Sequence, residues 1–207
     1  LLKKIAAEKA QLVKDGKIKA QKPLPPIGND EKPFELPKGW EWVRLGSLGV
    51  CSTGSTPNTQ NSTFYGVDIP FIGPAQITPN NVLLSSDKWL SEHGRRETTI
   101  ANSGDILMVC IGGSIGKSAI TDMEVSFNQQ INCISPILAF SKYIHFSMQS
   151  PHFQVSILDA ATGSATPIIN RTKWENLLIA IPPLAEQQRI VTKVDELMAL
   201  CDQLEQQ

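Results

Sequence analysis

The stretch "CIGGSIGKSAI", Cys110–Ile120, decides between two fold classes. Its Gly116-Lys117-Ser118, following an apolar run, has the look of a phosphate-binding loop. Such a loop needs a glycine five positions before the Gly-Lys pair and a helix directly behind it. Counting back from Gly116 reaches Ile111, and the glycines present are Gly112 and Gly113. Behind the stretch, Ile120 and Val125 bracket the turn-like Thr121-Asp122-Met123-Glu124, so no amphipathic helix opens. The local reading is strand, glycine turn, strand. A nucleotide hydrolase built on this loop is set aside, and the glycines need another job.

Working outward, short apolar runs alternate with Gly, Pro, Asn and Ser from Phe34 to Ile181. "EWVRLG", "IPFIG", "DILMVCIG" and "NLLIAIPP" read as strands, and "NTQNST" and "ITPNN" as loops. "SKYIHFSMQSPHFQVSILDAATG" reads as two short helices; Ser150-Pro151 caps and starts the second, and Gly163 closes it. Strands first and helices late, without regular alternation, predict an α+β fold, a β-rich globular domain flanked by helices.

The flanks differ from this middle. "LLKKIAAEKAQLVKDGKIKAQ" puts Leu1, Ile5 and Leu12 on one helical stripe with Glu8 at the fourth site, and Gly16 is the expected stop. "KPLPPI" then forbids helix and favours an extended connector. At the other end Pro182-Pro183 precede a helix in which Ile190, Val194, Leu197, Cys201 and Leu204 step by four and three, the spacing of a coiled-coil seam. The alternative is an ordinary amphipathic helix folded onto the domain. The basic first helix is the natural partner for the acidic last one, within the chain or from a second copy. The expected division is therefore a helix end and proline-rich linker over 1–32, a globular domain over 33–181 and a long coiled-coil helix over 182–207. Both flanks are periodic up to the cut, and the chain opens without Met, so it reads as a piece of a longer protein.

Composition excludes several functions. No apolar run approaches the ~20 residues that span a bilayer, and the charged opening is not a signal peptide. Cys51, Cys110, Cys133 and Cys201 form no Cys-x-x-Cys pair and read as reduced, mostly buried thiols of a cytoplasmic protein. His93, His145 and His152 have no ligand partners at metal spacing, so neither metal nor cofactor is expected. Residues 1–32 carry eight lysines against four acids, 33–181 nine cations against eleven acids, and 182–207 two against five.

The succession "LPKGWEWVRLG", "STGSTPNTQNSTFYGVDIPFIG", "SGDILMVCIGGSIGKSAI", "SFNQQINC", "ATGSATPIINRTKWENLLIAIPPLAEQQRIVTKVDEL" closely resembles the specificity subunit of bacterial type I restriction–modification systems. The resemblance runs nearly end to end, and "IPPLAEQQRIV" is its most specific part. It implies a non-catalytic subunit with two target-recognition domains, each reading half of a split duplex DNA site, held apart by two paired helices. Methylation subunits dock on those helices, and a restriction subunit joins indirectly. This chain looks like one such domain with a piece of helix at each end, the lead-in pointing to the first of the two. Catalytic motifs are missing in parallel: "IPPL" lacks the polar and aromatic residues of an adenine-methylating Asn/Asp-Pro-Pro-Tyr/Phe motif, and Asp105, Asp122 and Glu124 have no nearby nuclease lysine.

Candidate DNA contacts follow from residue type. The cations are Lys88, Arg95 and Arg96 in one cluster, Lys117 at the glycine turn, and Arg171 with Lys173; each is either a phosphate contact or a solvated charge. Ser55, Thr56 and Asn58, with Ser164 and Thr166, lie in polar loops suited to a groove or to plain solvent. Asn128, Gln129 and Gln130 carry amides that either pair with adenine or satisfy backbone groups. Ser114 sits with Lys117 at the turn, which either approaches a DNA backbone or is a simple hairpin. Trp40, Trp42, Trp89 and Trp174 are expected to pack beside strands rather than stack on bases. The competing function is a coiled-coil adaptor whose globular part binds protein.

Overall fold

The computed structural model describes residues 1–205; Gln206 and Gln207, which end the expected heptads, lie outside the described residues. The first helix, α1 (Leu2–Lys14), buries Ile5 completely. Glu8, expected on the inner stripe, is exposed, and Lys9 faces inward instead. Its Nζ donates to the Gly46 carbonyl at 2.6 Å, and burial lowers its pKa. The predicted stop is present in full. Gly16 takes φ +70°, its N–H reaches the Val13 carbonyl at 3.1 Å, and the Lys17 N–H reaches Leu12 at 2.9 Å. Those two bonds satisfy carbonyls that the helix end leaves open.

Residues 17–40 contain no helix or strand, yet the segment is pinned down. Arg44, at the end of β1 (Glu41–Arg44), is buried. It donates to the carbonyls of Pro25 at 3.3 Å, Pro26 at 3.1 Å and Asn176 at 2.9 Å. Glu31 supplies the counter-charge at 2.8 Å.

The chain then builds two sheets through β2 (Gly49–Thr53), β3 (Tyr65–Ile72), β4 (Trp89–Leu90), the one-turn α2 (Glu92–Arg95), β5 (Ile100–Ala101), β6 (Ile106–Val109), β7 (Ser118–Ile120), β8 (Val125–Phe127) and β9 (Ile131–Pro136). One sheet is antiparallel throughout, in the order β2-β9-β6-β7; the other runs β4-β3-β8-β5, with β3 and β8 parallel. Strand β6 explains the uninterrupted apolar run, because successive side chains of a strand point to opposite faces. Ile106 and Met108 enter a core with Phe153 and Trp174, while Leu107 and Val109 enter a second core with Ile72 and Phe127. After β7 the chain crosses to the other sheet through the Thr121–Glu124 turn, where the Thr121 hydroxyl donates to the Met123 carbonyl at 2.7 Å.

The remaining elements are α3 (Ser141–Gln149), α4 (Pro151–Ala160), α5 (Arg171–Glu175), β10 (Leu178–Ile181) and α6 (Leu184–Glu205). Ser150 caps α4 as expected, its hydroxyl accepting from the Phe153 N–H at 3.3 Å, with Pro151 in the first turn. Gly163 does not close that helix. Ala161 ends it in extended conformation, and Gly163, at φ +91°, turns a loop whose base is the Thr162–Ile168 bridge. Strand β10 pairs antiparallel with β1, Glu41 opposite Ile181 and Arg44 opposite Leu178, which brings the two ends of the domain together.

Helix α6 lies on α3, not on α1, which packs on β2 and the turn at Leu45–Ser47. Within the chain, therefore, α1 is not the main partner of α6. Gln187 is fully buried; its amide accepts from the Phe140 N–H at 3.1 Å and donates to the Pro182 carbonyl at 2.9 Å. Val191 is buried, and Ile190 and Val194 are half-buried. Beyond them the seam is bare: Leu197 is 50% exposed, Leu204 is 69% exposed, and Cys201 is exposed as well.

Candidate nucleic-acid interface

The polar loops singled out from the sequence come together along one rim of the two sheets. The chain leaves β2 at Thr53, whose hydroxyl donates to the Asn132 amide oxygen at 2.8 Å. The Gly54 N–H then reaches the Ile131 carbonyl at 3.1 Å, and the Ser55 N–H reaches Phe127 at 3.0 Å. Gly54 lies so close to the carbonyls of Phe127 and Asn128 that any Cβ there would run into both. Thr56 completes the tie, its hydroxyl donating to Gln129 Oε1 at 2.7 Å. On the far side of 128–130, the Cys110 N–H donates to the Gln130 carbonyl at 2.8 Å. The glycine turn is joined in the same way to the loop at 162–168: the Gly112 N–H donates to Pro167 at 2.9 Å, and the Ile169 N–H donates to Cys110 at 2.9 Å. Ser55, Thr56, Asn58, Ser114, Lys117, Asn128, Gln129, Gln130, Ser164 and Thr166 thus lie on loops fastened side by side.

The glycine turn is a hairpin between β6 and β7, with Ile106 opposite Ile120 and Met108 opposite Ser118. Only two of its three glycines use left-handed backbone, Gly112 at φ +91° and Gly116 at φ +92°. Gly113 does not. A Cβ at Gly112 or Gly113 would meet open space, so this tip can come close to another surface. Gly116 approaches protein instead: a Cβ there would run into the Gln154 amide, whose Nε2 donates to the Gly116 carbonyl at 3.1 Å and to Met148 at 2.8 Å. Gln154 and the buried His145, whose pKa burial lowers, were not marked by any sequence pattern. They hold the hairpin against α4 and α3.

The cations divide into two groups. Arg95 is held by Glu124 in a two-pronged contact at 2.7 and 2.9 Å, which draws the Glu124 carboxyl below the usual range. Arg171 pairs with Glu175 at 3.1 Å, and Lys173 Nζ donates to the Ala160 carbonyl at the end of α4, 3.0 Å away. Lys88, Arg96 and Lys117 make no ion pair among the described residues. Of these Lys117 stands on the rim. Of the tryptophans, Trp174 is fully buried with Nε1 directed at the Met108 sulfur, 3.2 Å away, Trp40 and Trp42 are half-buried, and Trp89 on β4 is exposed.

Cys51, Cys110 and Cys133 are buried and Cys201 is exposed, all as free thiols. No group of three or more His, Cys, Asp or Glu that could hold a metal occurs among the described residues. No described helix is long and apolar enough to cross a membrane.

Taken together, the arrangement defines an α+β domain that presents a row of tied loops along one rim and carries a C-terminal helix whose far end is exposed. The chain belongs to the family described as the type I restriction modification DNA specificity domain, whose family model matches residues 37–207. It is 38% identical to the type I restriction enzyme EcoAI specificity subunit of Escherichia coli, over 100% of this chain and 36% of that protein. It is 34% identical to the EcoEI specificity subunit of Escherichia coli, with the same coverage of both. The chain thus spans about a third of the length of these relatives. Among solved structures, the HsdS subunit from Thermoanaerobacter tengcongensis shares the fold at TM-score 0.66 and 22% identity, over 84% of this chain and 41% of that one. A chain from a study of complex assembly and conformational transition of the type I R-M system does so at TM-score 0.69 and 21% identity, over 99% of this chain and 50% of that one.

Proposed function

We propose that this chain reads one half of a bipartite duplex DNA site, with residues 33–181 as the recognition domain and the rim of tied loops as the reading surface. The observation that carries this reading is the convergence of the polar loops at 54–58, 110–117, 128–130 and 162–168 on one rim, in a chain of the specificity-domain family. Catalysis falls to other subunits; this one acts in the cytoplasm without cofactor.

Charge supports a shared interface. Phosphate contacts supply most of the salt-dependent affinity for duplex DNA, yet the chain has a net charge of −1 and three of its candidate cations are engaged internally. Methylation subunits, docked on the terminal helices, would supply the remaining phosphate contacts, and the restriction subunit would join through them. The bare seam of α6 supports pairing with another helix, from the rest of a full-length subunit or from a second copy. A coiled-coil adaptor is not what the specificity-subunit relatives describe.

The test is selection of bound duplexes from a random pool by this chain mixed with its methylation subunit, and by each alone. A short motif enriched only in the mixture is the expected result. Enrichment of no motif by an assembled mixture would overturn the reading.

A further inference from the structure

We propose that Gln129 is the rim residue that reads a base pair, with Thr56 as its positioning residue; this rests on the reading of the chain as a DNA-recognition unit. Gln129 stands exposed on the middle loop of the rim, between the 54–58 loop and the glycine turn. The backbone beneath it is fixed on both sides. The Asn128 N–H donates to Ile72 at 3.0 Å, the Ile131 N–H to Asn128 at 3.1 Å, and the Gln130 carbonyl accepts from Cys110 at 2.8 Å. The flanking residues are half-buried and tied within the loop: Asn128 Nδ2 donates to Gln130 Oε1 at 3.1 Å, and Asn128 Oδ1 accepts from the Gln130 backbone N–H at 3.0 Å.

The Gln129 side chain takes no part in this local network. It is reached from a different loop, by the Thr56 hydroxyl 2.7 Å from Oε1. In this arrangement the amide oxygen is the end that faces Thr56. An amide oxygen has two lone pairs, so one remains open, and Nε2 keeps both hydrogens with no acceptor among the described residues. The amide therefore offers one acceptor and two donors in a set orientation on an immobilised loop. In the major groove, adenine shows the complementary pair, an N6 donor beside an N7 acceptor. A side chain already engaged by a hydrogen bond in the free protein loses less entropy on binding than an unengaged one. Asn58, by contrast, is held only from within its own loop, its oxygen accepting from the Gln60 N–H at 3.0 Å.

The experiment is duplex selection from a random pool by the chain assembled with its methylation subunit, comparing the wild type with Gln129→Ala, Gln129→Glu and Thr56→Val. Unfolding temperatures of the variants, expected unchanged at these exposed positions, confirm intact folds. Wild type is expected to select an A·T pair at one position where Gln129→Ala loses discrimination by about tenfold or more, with every other position unchanged. Gln129→Glu is expected to move the preference there to cytosine, whose N4 amino group donates. Thr56→Val should weaken that same position only. Motifs identical to wild type in all three folded variants would overturn the assignment while leaving DNA reading intact. A wild-type assembly that enriches no motif would overturn the reading beneath it.

Discussion

Arg44 and Glu31 form an ion pair at 2.8 Å that fastens the proline-rich lead-in to β1, the first strand of the domain. Arg44 also serves three carbonyls, two from the lead-in and one from Asn176. Arg44→Ala strands these acceptors and is expected to cost on the order of 2–4 kcal/mol in urea unfolding. Glu31 adds a pH signature. Its hydrogen bond from Arg44, then the Gly28 N–H, holds its carboxyl below the ordinary glutamate range. A depressed folded-state pKa contributes stability above the unfolded-state value and loses it as pH falls through the folded-state one. Glu31→Gln should therefore flatten the acid limb of the unfolding temperature plotted against pH.

Alanine substitutions in the glycine turn should separate backbone strain from close approach. Gly112 and Gly116 both use left-handed backbone, where a side chain costs about 1–3 kcal/mol. Gly116→Ala additionally displaces Gln154 from its bonds to the turn, so it should be the most damaging. Gly113 has neither constraint, and Gly113→Ala should fall within about 0.5 kcal/mol of wild type. Chemical unfolding of the three variants checks the order.

Thiol labelling should single out one cysteine. Burial pushes the Cys110 thiol up to about 12 and raises Cys51 and Cys133 as well. The reactive thiolate is scarce at all three. Iodoacetamide at pH 8 is expected to modify Cys201 alone under native conditions, and all four in denaturant. Peptide mass mapping reads this directly.

The two halves of α6 should respond differently to mutation. Val191, only 6% exposed, belongs to the domain core, and Val191→Ala should cost about 1–2 kcal/mol. Leu197→Asp and Leu204→Asp alter a face that the domain leaves bare, so the unfolding temperature should hold while association through the helix is lost. Calorimetry and sedimentation distinguish the two effects.

Several elements were legible because their signals are local. The buried run Ile106–Val109, the Ser150-Pro151 start of α4 and the Gly16 stop of α1 each lie within a few residues of their cause. Strands β2 and β9 escaped notice. "GVCST" has no bulky alternation, and its pairing, Cys51 opposite Ile134, comes from far along the chain. Gly163 misled because a left-handed glycine marks a turn without saying whether a helix or a loop owns it. The candidate site was half legible. Residue type picked out Thr56 and Gln129, but their bond joins positions 73 apart, and no periodicity records it. Arg44 carried no signal at all, since arginine ordinarily reads as surface.

The pairing of β1 with β10 has a mechanical consequence. Entry and exit of the domain are stitched together, Glu41 against Ile181. The clasp is reinforced where α6 lies on α3 and where α1 packs on β2. Loops at the domain's rim can lengthen, shorten or change chemistry without shifting the origin of α6 or the path of the lead-in. The chemistry of the rim and the placement of the helix are thereby set by separate parts of the chain.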